Sequence, residues 1–173
     1  MKTLVLMRHA KSSWERPAMS DHERPLNPRG LRAAPRIGAY LRDLPLHPDQ
    51  VLCSTAERAR KTWELAGAAF AQPIEVEYRD DLYGVMPTEL IRIIHSVEES
   101  VATLLVLGHN PTIQALALDL CNGEGSSEEA QNLMAVKFST ASFAQLQFAG
   151  NRWDEVESGK GQLIRFVKPK MLP

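Results

Sequence analysis

The sequence predicts an α/β domain of three layers (αβα), with helices on both faces of a mainly parallel sheet and an antiparallel C-terminal edge. Three observations predict it. Short continuous apolar runs recur along the chain, as strands buried on both faces require. Helical patterns with one apolar face separate those runs. The last third of the chain then switches to alternating strands, giving the order β-α-β-α-β-α-β-α-β-β.

The first strand is Leu4-Val5-Leu6-Met7, followed by a polar loop from Arg8 to Pro25. Asn27 and Pro28 start a helix as N-cap and first residue. Leu31, Ala34, Ile37, Leu41 and Leu44 give its apolar face, and Pro35 within it predicts a kink or a broken first turn. Val51-Leu52-Cys53 is the second strand. Ser54 and Glu57 read as a capping box for a helix whose apolar face is Ala56, Ala59, Trp63, Ala66 and Phe70. Ile74 to Tyr78 is a third strand, and Thr88 caps a helix to about Val97. Thr103 to Leu107 is the most apolar strand, and Asn110-Pro111 repeats the cap-and-proline start of a helix reaching Cys121. Residues 122–135 are polar and read as a connection. Ala141 to Phe148 and Gln162 to Val167 form the antiparallel edge, the first of them half-exposed by its alternation.

The 173 residues are expected to form a single domain, 1–173, with no internal repeat. The 20 basic and 21 acidic residues leave a net charge of −1, so no global field draws nucleic acid or an anionic membrane. No apolar run is long enough to span a bilayer, and Leu4–Met7 is too short for the core of a signal peptide. A cytoplasmic location is expected, with no cofactor and no metal. Cys53 and Cys121 fit no metal-ligand spacing and are expected to be buried thiols.

The chemistry gathers where strands end. The first strand ends in Arg8-His9, the second in Ser54 with Arg58 a turn later, and the strand at 103–107 in Gly108-His109-Asn110. In parallel α/β sheets the ligand crevice lies outside the carboxyl ends of the strands, so these groups should meet. Two guanidiniums and two imidazoles suit a phosphate, since guanidinium forks bind its oxygens and stay protonated. Arg24 could join them or pair with Asp21 in its own loop.

Leu-Met-Arg-His-Ala at 6–10 resembles the Arg-His-Gly signature of the histidine phosphatase superfamily, with Ala10 where Gly is usual. Ser54 to Thr62 and Gly108-His109-Asn110-Pro111 are similar to its second and third motifs. Arg24-Pro25-Leu26, Gly30 and the C-terminal Trp153, Gly161, Leu163, Phe166, Pro169 and Leu172 are similar to the SixA-like phosphohistidine phosphatases. The resemblance implies that His9 attacks phosphorus and that Arg8, Arg58 and His109 act with it. It also implies substrate-binding positions at Arg24, Ser12 and Asn110. A backbone carbonyl is expected to hold the second ring nitrogen of His9.

The leaving group separates the substrate classes. An ester expels an alkoxide and needs a proton donor, whereas imidazole leaves with little help. Asn110 stands where acid phosphatases of the superfamily carry an Asp, and Asn cannot donate that proton. The expected substrate is therefore phosphohistidine on a protein of phosphorelay or phosphotransfer type, handled by a monomer. The alternatives are a phosphomonoesterase for a small metabolite, with Glu89 or Asp81 as proton donor, and a phosphate-binding module without catalysis.

Overall fold

A computed structural model describes residues 1–121 and 125–173. Six strands, β1 (Lys2–Arg8), β2 (Gln50–Ser54), β3 (Glu75–Arg79), β4 (Thr103–Gly108), β5 (Phe143–Phe148) and β6 (Gln162–Val167), make one sheet in the order β3-β2-β4-β1-β5-β6. The β1–β4, β2–β4 and β2–β3 pairs are parallel, and β1–β5 and β5–β6 are antiparallel. The helices are α1 (Pro28–Asp43), α2 (Glu57–Gly67), α3 (Pro87–His95), α4 (Thr112–Leu120) and α5 (Glu128–Val136).

Side chains alternate across a strand, so the continuous apolar runs feed two cores. Leu4, Leu6, Leu104 and Val106 pack with Leu90 and Ile94 of α3, Ile113 and Leu116 of α4 and Met134 of α5. Val5, Met7, Leu105 and Leu107 pack on the opposite face with Ala34, Ile37 and Leu41 of α1 and Ala59 and Trp63 of α2. The three expected layers are present.

Asn27 caps α1 as expected, its side chain accepting from the Gly30 amide at 2.9 Å. Gly30 and Gly38 then let the helix approach other backbone: a Cβ would lie 2.2 Å from the Lys11 carbonyl at Gly30 and 2.2 Å from the Ala66 carbonyl at Gly38. The first contact ties α1 to the loop that follows His9.

Several local expectations give way to tertiary context. Helix α1 runs unbroken through Pro35, which lies on the exposed face, where the carbonyl it leaves free can meet water. Leu31 is exposed, and the buried face of α1 is Gly30, Ala34, Ile37, Gly38 and Leu41. Ser54 does not cap α2; it ends β2, and Ala56 stands before the helix without a side-chain cap. Thr88 lies inside α3, which Met86 precedes, and α4 opens at Thr112 with no cap from Asn110. Within the polar stretch read as a connection, α5 forms with Ser127 accepting from the Ala130 amide; residues 122–124 lie outside the described residues. Strand β5 starts at Phe143, two residues late, because Ala141 takes a left-handed turn conformation at φ 60°. It is nearly all buried rather than half-exposed, since β1 and β6 flank it and α5 packs over β6. Among the described residues no helix is long and apolar enough to cross a membrane.

Candidate active site

The strand order explains how three distant motifs meet. β4 inserts between β1 and β2, so the C-terminal ends of the three motif-bearing strands lie side by side. His9 follows β1, His109 follows β4, and Arg58 stands in the first turn of α2 after β2. The two imidazole centroids are 5.1 Å apart.

His9 is buried, and its Nδ1 lies 2.7 Å from the Ala10 carbonyl, the bond expected from the sequence. A carbonyl only accepts, so Nδ1 carries the proton. The Arg58 Nε–H donates to His9 Nε2 at 3.3 Å, so that nitrogen is unprotonated and its lone pair accepts from the guanidinium. Burial, followed by the nearby His109, Arg58 and Arg8, holds the His9 pKa down at about 3. Thr62 Oγ1 accepts from the Ala10 amide and donates to the Arg58 carbonyl, joining the loop after β1 to α2.

His109 takes the other tautomer. Its Nδ1 lies 3.4 Å from Arg58 Nη2, a donor, so the proton sits on Nε2 and reaches Ser54 Oγ at 2.7 Å. Ser54, assigned from sequence to helix capping, instead orients this ring. Burial and then Arg58 hold the His109 pKa down at about 4. Both imidazoles are therefore neutral, and the positive charge of the cleft resides on guanidiniums.

Arg58 is the centre of the site. Besides both histidines, its Nη1 donates to the Asp21 carbonyl at 2.6 Å and its Nη2 to Asp21 Oδ2 at 3.0 Å. Asp21 also accepts from Tyr83 Oη at 2.5 Å and Arg24 Nε at 3.0 Å. These bonds, that from Tyr83 first, hold its carboxyl well below the usual range. Arg24 pairs with Asp21, one of the two possibilities read from sequence, and also donates from Nη1 to Ser12 Oγ at 2.8 Å. Arg8 donates from Nη1 to the Phe138 carbonyl at 2.8 Å, while its buried Nε has no partner. Sequence reasoning missed Tyr83, whose ring meets His109 edge-on at 5.5 Å, and the bridging role of Asp21. The aspartate's position three residues before Arg24 was the one available signal.

This arrangement has known relatives. The family model described as histidine phosphatase superfamily (branch 1) matches residues 4–83. A protein proposed to be the phosphohistidine phosphatase SixA of Nakamurella multipartitia is 36% identical, with a TM-score of 0.83 over 97% of this chain and 96% of that one. The chain belongs to the histidine phosphatase superfamily. Within it, phosphohistidine phosphatase SixA of Escherichia coli is 29% identical over 70% of this chain and 75% of its own length. An uncharacterized protein of Mycobacterium tuberculosis is 43% identical over 95% of this chain and its whole length. The chain is a phosphatase of SixA-like type.

The carboxylates named from sequence as proton donors, and their neighbour Asp80, are hydrogen-bonded to other groups. Arg79 grips Asp81 at 2.8 and 2.6 Å and pushes its carboxyl below the ordinary range. Glu89 accepts from the Met86 amide at 3.1 Å and closes the first turn of α3. Asp80 accepts from Thr55 at 2.7 Å. Asn110 donates to the Phe138 carbonyl and to Gln114, each at 3.2 Å, and its buried Oδ1 has no partner. Beside His109 lies a pocket of about 150 Å³ walled by Leu82, Val85, Met86, Leu90 and Ile113. Trp14 is 72% exposed and stacks on the Arg24 guanidinium at 3.6 Å. Cys53 is buried as expected, its thiol pushed up to about 12 by burial.

The two depressed imidazoles set the acid stability of this phosphatase. Their folded pKa values lie below the unfolded value of about 6.5, so the unfolded chain takes up their protons first. Stability is full above about pH 6.5 and falls as pH drops toward 4, by up to about 1.4 kcal/mol per pH unit for each histidine. Asp21 adds no slope in this window, since its depressed carboxyl keeps its charge there; its stabilisation is lost only at lower pH. Urea denaturation between pH 7 and 5 should show this slope, and His109→Asn should remove about one proton's share of it. An unchanged slope in that variant would contradict the neutral assignment.

Proposed function

We propose that this chain hydrolyses phosphohistidine on a protein, passing the phosphoryl group through His9. The observation that carries the reading is the fixed tautomer of His9, with Nδ1–H held by the Ala10 carbonyl and Nε2 unprotonated, its lone pair accepting from the Arg58 guanidinium. The Nε2 lone pair, released as Arg58 turns to the phosphoryl oxygens, attacks phosphorus in line; the bond to the substrate imidazole breaks, and that imidazole leaves with a proton taken from solvent. Water then attacks phospho-His9, releasing inorganic phosphate and restoring Nε2. Phosphoryl transfer demands positioning and charge neutralisation above all. Arg58 and Arg8 supply the charge, and the unpartnered Nε of Arg8 is a donor available to a phosphoryl oxygen. An arriving dianion raises the proton affinity of His109, so that both of its ring nitrogens can donate.

The leaving group supports phosphohistidine over an ester. Asp81, Glu89 and Asp80 are bound to other groups, and Asn110 carries no proton to give. Imidazole, with a pKa of about 6.5, leaves without a dedicated acid. The likeness to SixA proteins supports the same substrate class.

The test compares phosphate release from a phosphohistidine-bearing phosphotransfer protein with release from p-nitrophenyl phosphate. A kcat/KM at least about 100-fold higher for the phosphoprotein is expected, the difference of about 3 kcal/mol that a missing general acid imposes. Faster cleavage of the ester would overturn the reading and point to an acid other than these three carboxylates.

A further inference from the structure

We propose that a cationic pocket beside the phosphate site is a docking cradle for acidic side chains on the phosphorylated protein; this rests on the reading that the substrate is a protein. The pocket has a volume of about 120 Å³ and gathers Lys11, Arg29, Lys137, Lys168 and Lys170, with no carboxylate in its wall. Among the described residues none of the five has an acidic partner within 4.0 Å. Five unpaired cations in one pocket are notable in a chain whose net charge is −1. Like charges so placed repel one another, and an incoming anion relieves that repulsion.

The sheet register fixes where the pocket lies. Met7, Phe143 and Val167 stand in line across β1, β5 and β6. The next residues outward are Arg8 and Lys168, two strand spacings or about 10 Å apart. The segment carrying Lys137 is clamped to the active site, since the Phe138 carbonyl accepts from Arg8 and the Ala141 amide donates to the carbonyls of Arg8 and His9. Lys11 follows the nucleophile by two residues, and its carbonyl accepts from the Asn27 amide, which brings the start of α1 and Arg29 alongside.

A protein that delivers a phosphoryl group to His9 covers the surrounding surface. A standard interface buries about 800 Å² per partner, a disc about 16 Å in radius, and this pocket falls inside it. Lys168 forms the floor: it is buried, and its Nζ donates to the Leu133 carbonyl at 3.1 Å. Burial and the nearby Lys170 and Lys137 pull its pKa down, which is the cost an acidic partner would relieve. Lys11, Arg29, Lys137 and Lys170 are exposed at the rim, free to swing onto carboxylates. Charges of this kind act on encounter rate and on the choice of partner more than on chemistry.

The test uses the exposed pair, Lys137→Glu with Lys170→Glu, in the full chain. Two substrates are compared: inorganic phosphoramidate, which needs only the catalytic cleft, and a phosphotransfer protein with Asp and Glu around its phosphohistidine. The variant should lose about 10-fold or more in kcat/KM for the phosphoprotein at low salt. That loss should shrink to under about 3-fold in about 0.5 M salt. Phosphoramidate turnover should stay within about 2-fold, which also shows that the variant is folded. Equal phosphoprotein turnover by variant and parent would overturn the cradle and leave the proposed function standing. Loss on both substrates would assign the charges to catalysis instead, also overturning it. Parent protein that cleaves phosphoramidate but not the phosphoprotein would overturn both readings. Binding to phosphatidylglycerol vesicles, or saturation by inorganic phosphate, with phosphoprotein turnover unaffected would assign the pocket elsewhere and overturn docking.

Discussion

His9→Ala is expected to lower phosphate release from any phosphoryl substrate by about 10⁴-fold or more, and to abolish an acid-labile, alkali-stable phosphoenzyme in the parent. The reasoning is geometric. Two bonds of opposite polarity, one on each ring nitrogen, fix His9 with its proton on Nδ1 toward the Ala10 carbonyl and its unprotonated Nε2 toward Arg58. His109 is held in the opposite tautomer, its Nε2 proton on Ser54 and its Nδ1 toward Arg58, and its expected part is to bind phosphoryl oxygens. The variant should fold. It loses one bond to the Ala10 carbonyl and one from Arg58, about 1 to 3 kcal/mol in a buried place, and Arg58 keeps its Asp21 partners. Tungstate or phosphate should still bind within about 10-fold of the parent, since both guanidiniums remain. Rapid-quench labelling reads the intermediate and calorimetry the anion. Turnover within about 10-fold of the parent would remove His9 from the mechanism.

Arg58→Ala should cost about 10³-fold in kcat/KM, near 4 kcal/mol, the scale of a guanidinium that stabilises a transferring phosphoryl group. Arg58→Lys should recover little of it. An ammonium is a point donor and cannot address His9, His109 and Asp21 from one side chain as the planar fork does. A second readout separates this role from structural support. Arg58 lowers the pKa of both histidines, but it follows burial in rank at His109 and stands lower at His9. Removing it should therefore raise the pKa of His109 more than that of His9, visible by NMR titration. Lost activity with both imidazole titrations unmoved would contradict the central placement of Arg58.

Much of the fold was legible because it depends on local chemistry. The apolar runs at Leu4–Met7 and Thr103–Leu107 and the cap at Asn27-Pro28 stand where the pattern put them. The misreadings share a cause: a polar residue can serve its own backbone or a distant partner, and the sequence does not show the partner. Ser54 had the spacing of a capping box, but His109 lies 2.7 Å away and takes its hydroxyl. Asn110 looked like the cap of α4, yet its amide reaches the Phe138 carbonyl. The polar segment before Lys137 hid α5, which needed only Met134 and half-buried neighbours to cover the sheet edge.

The candidate site divides the same way. His9, Arg8, Arg58 and His109 could be picked out because strand ends in a parallel sheet face one crevice, whatever the order of the strands. Asp21 and Tyr83 could not. Asp21 reaches Arg58 from the start of one short 3-10 turn and Tyr83 reaches Asp21 from just after another, and neither apolar period nor capping pattern records such a contact. By itself the sequence determined the layers, the strands and the chemical types at their ends, since burial period and residue identity are local properties. Only the tertiary structure decided that β4 enters between β1 and β2, which nitrogen of each histidine carries the proton, and that five cations share a pocket beside them. Those depend on hydrogen bonds and charges between residues far apart in the chain, which exist only once the sheet has closed its register.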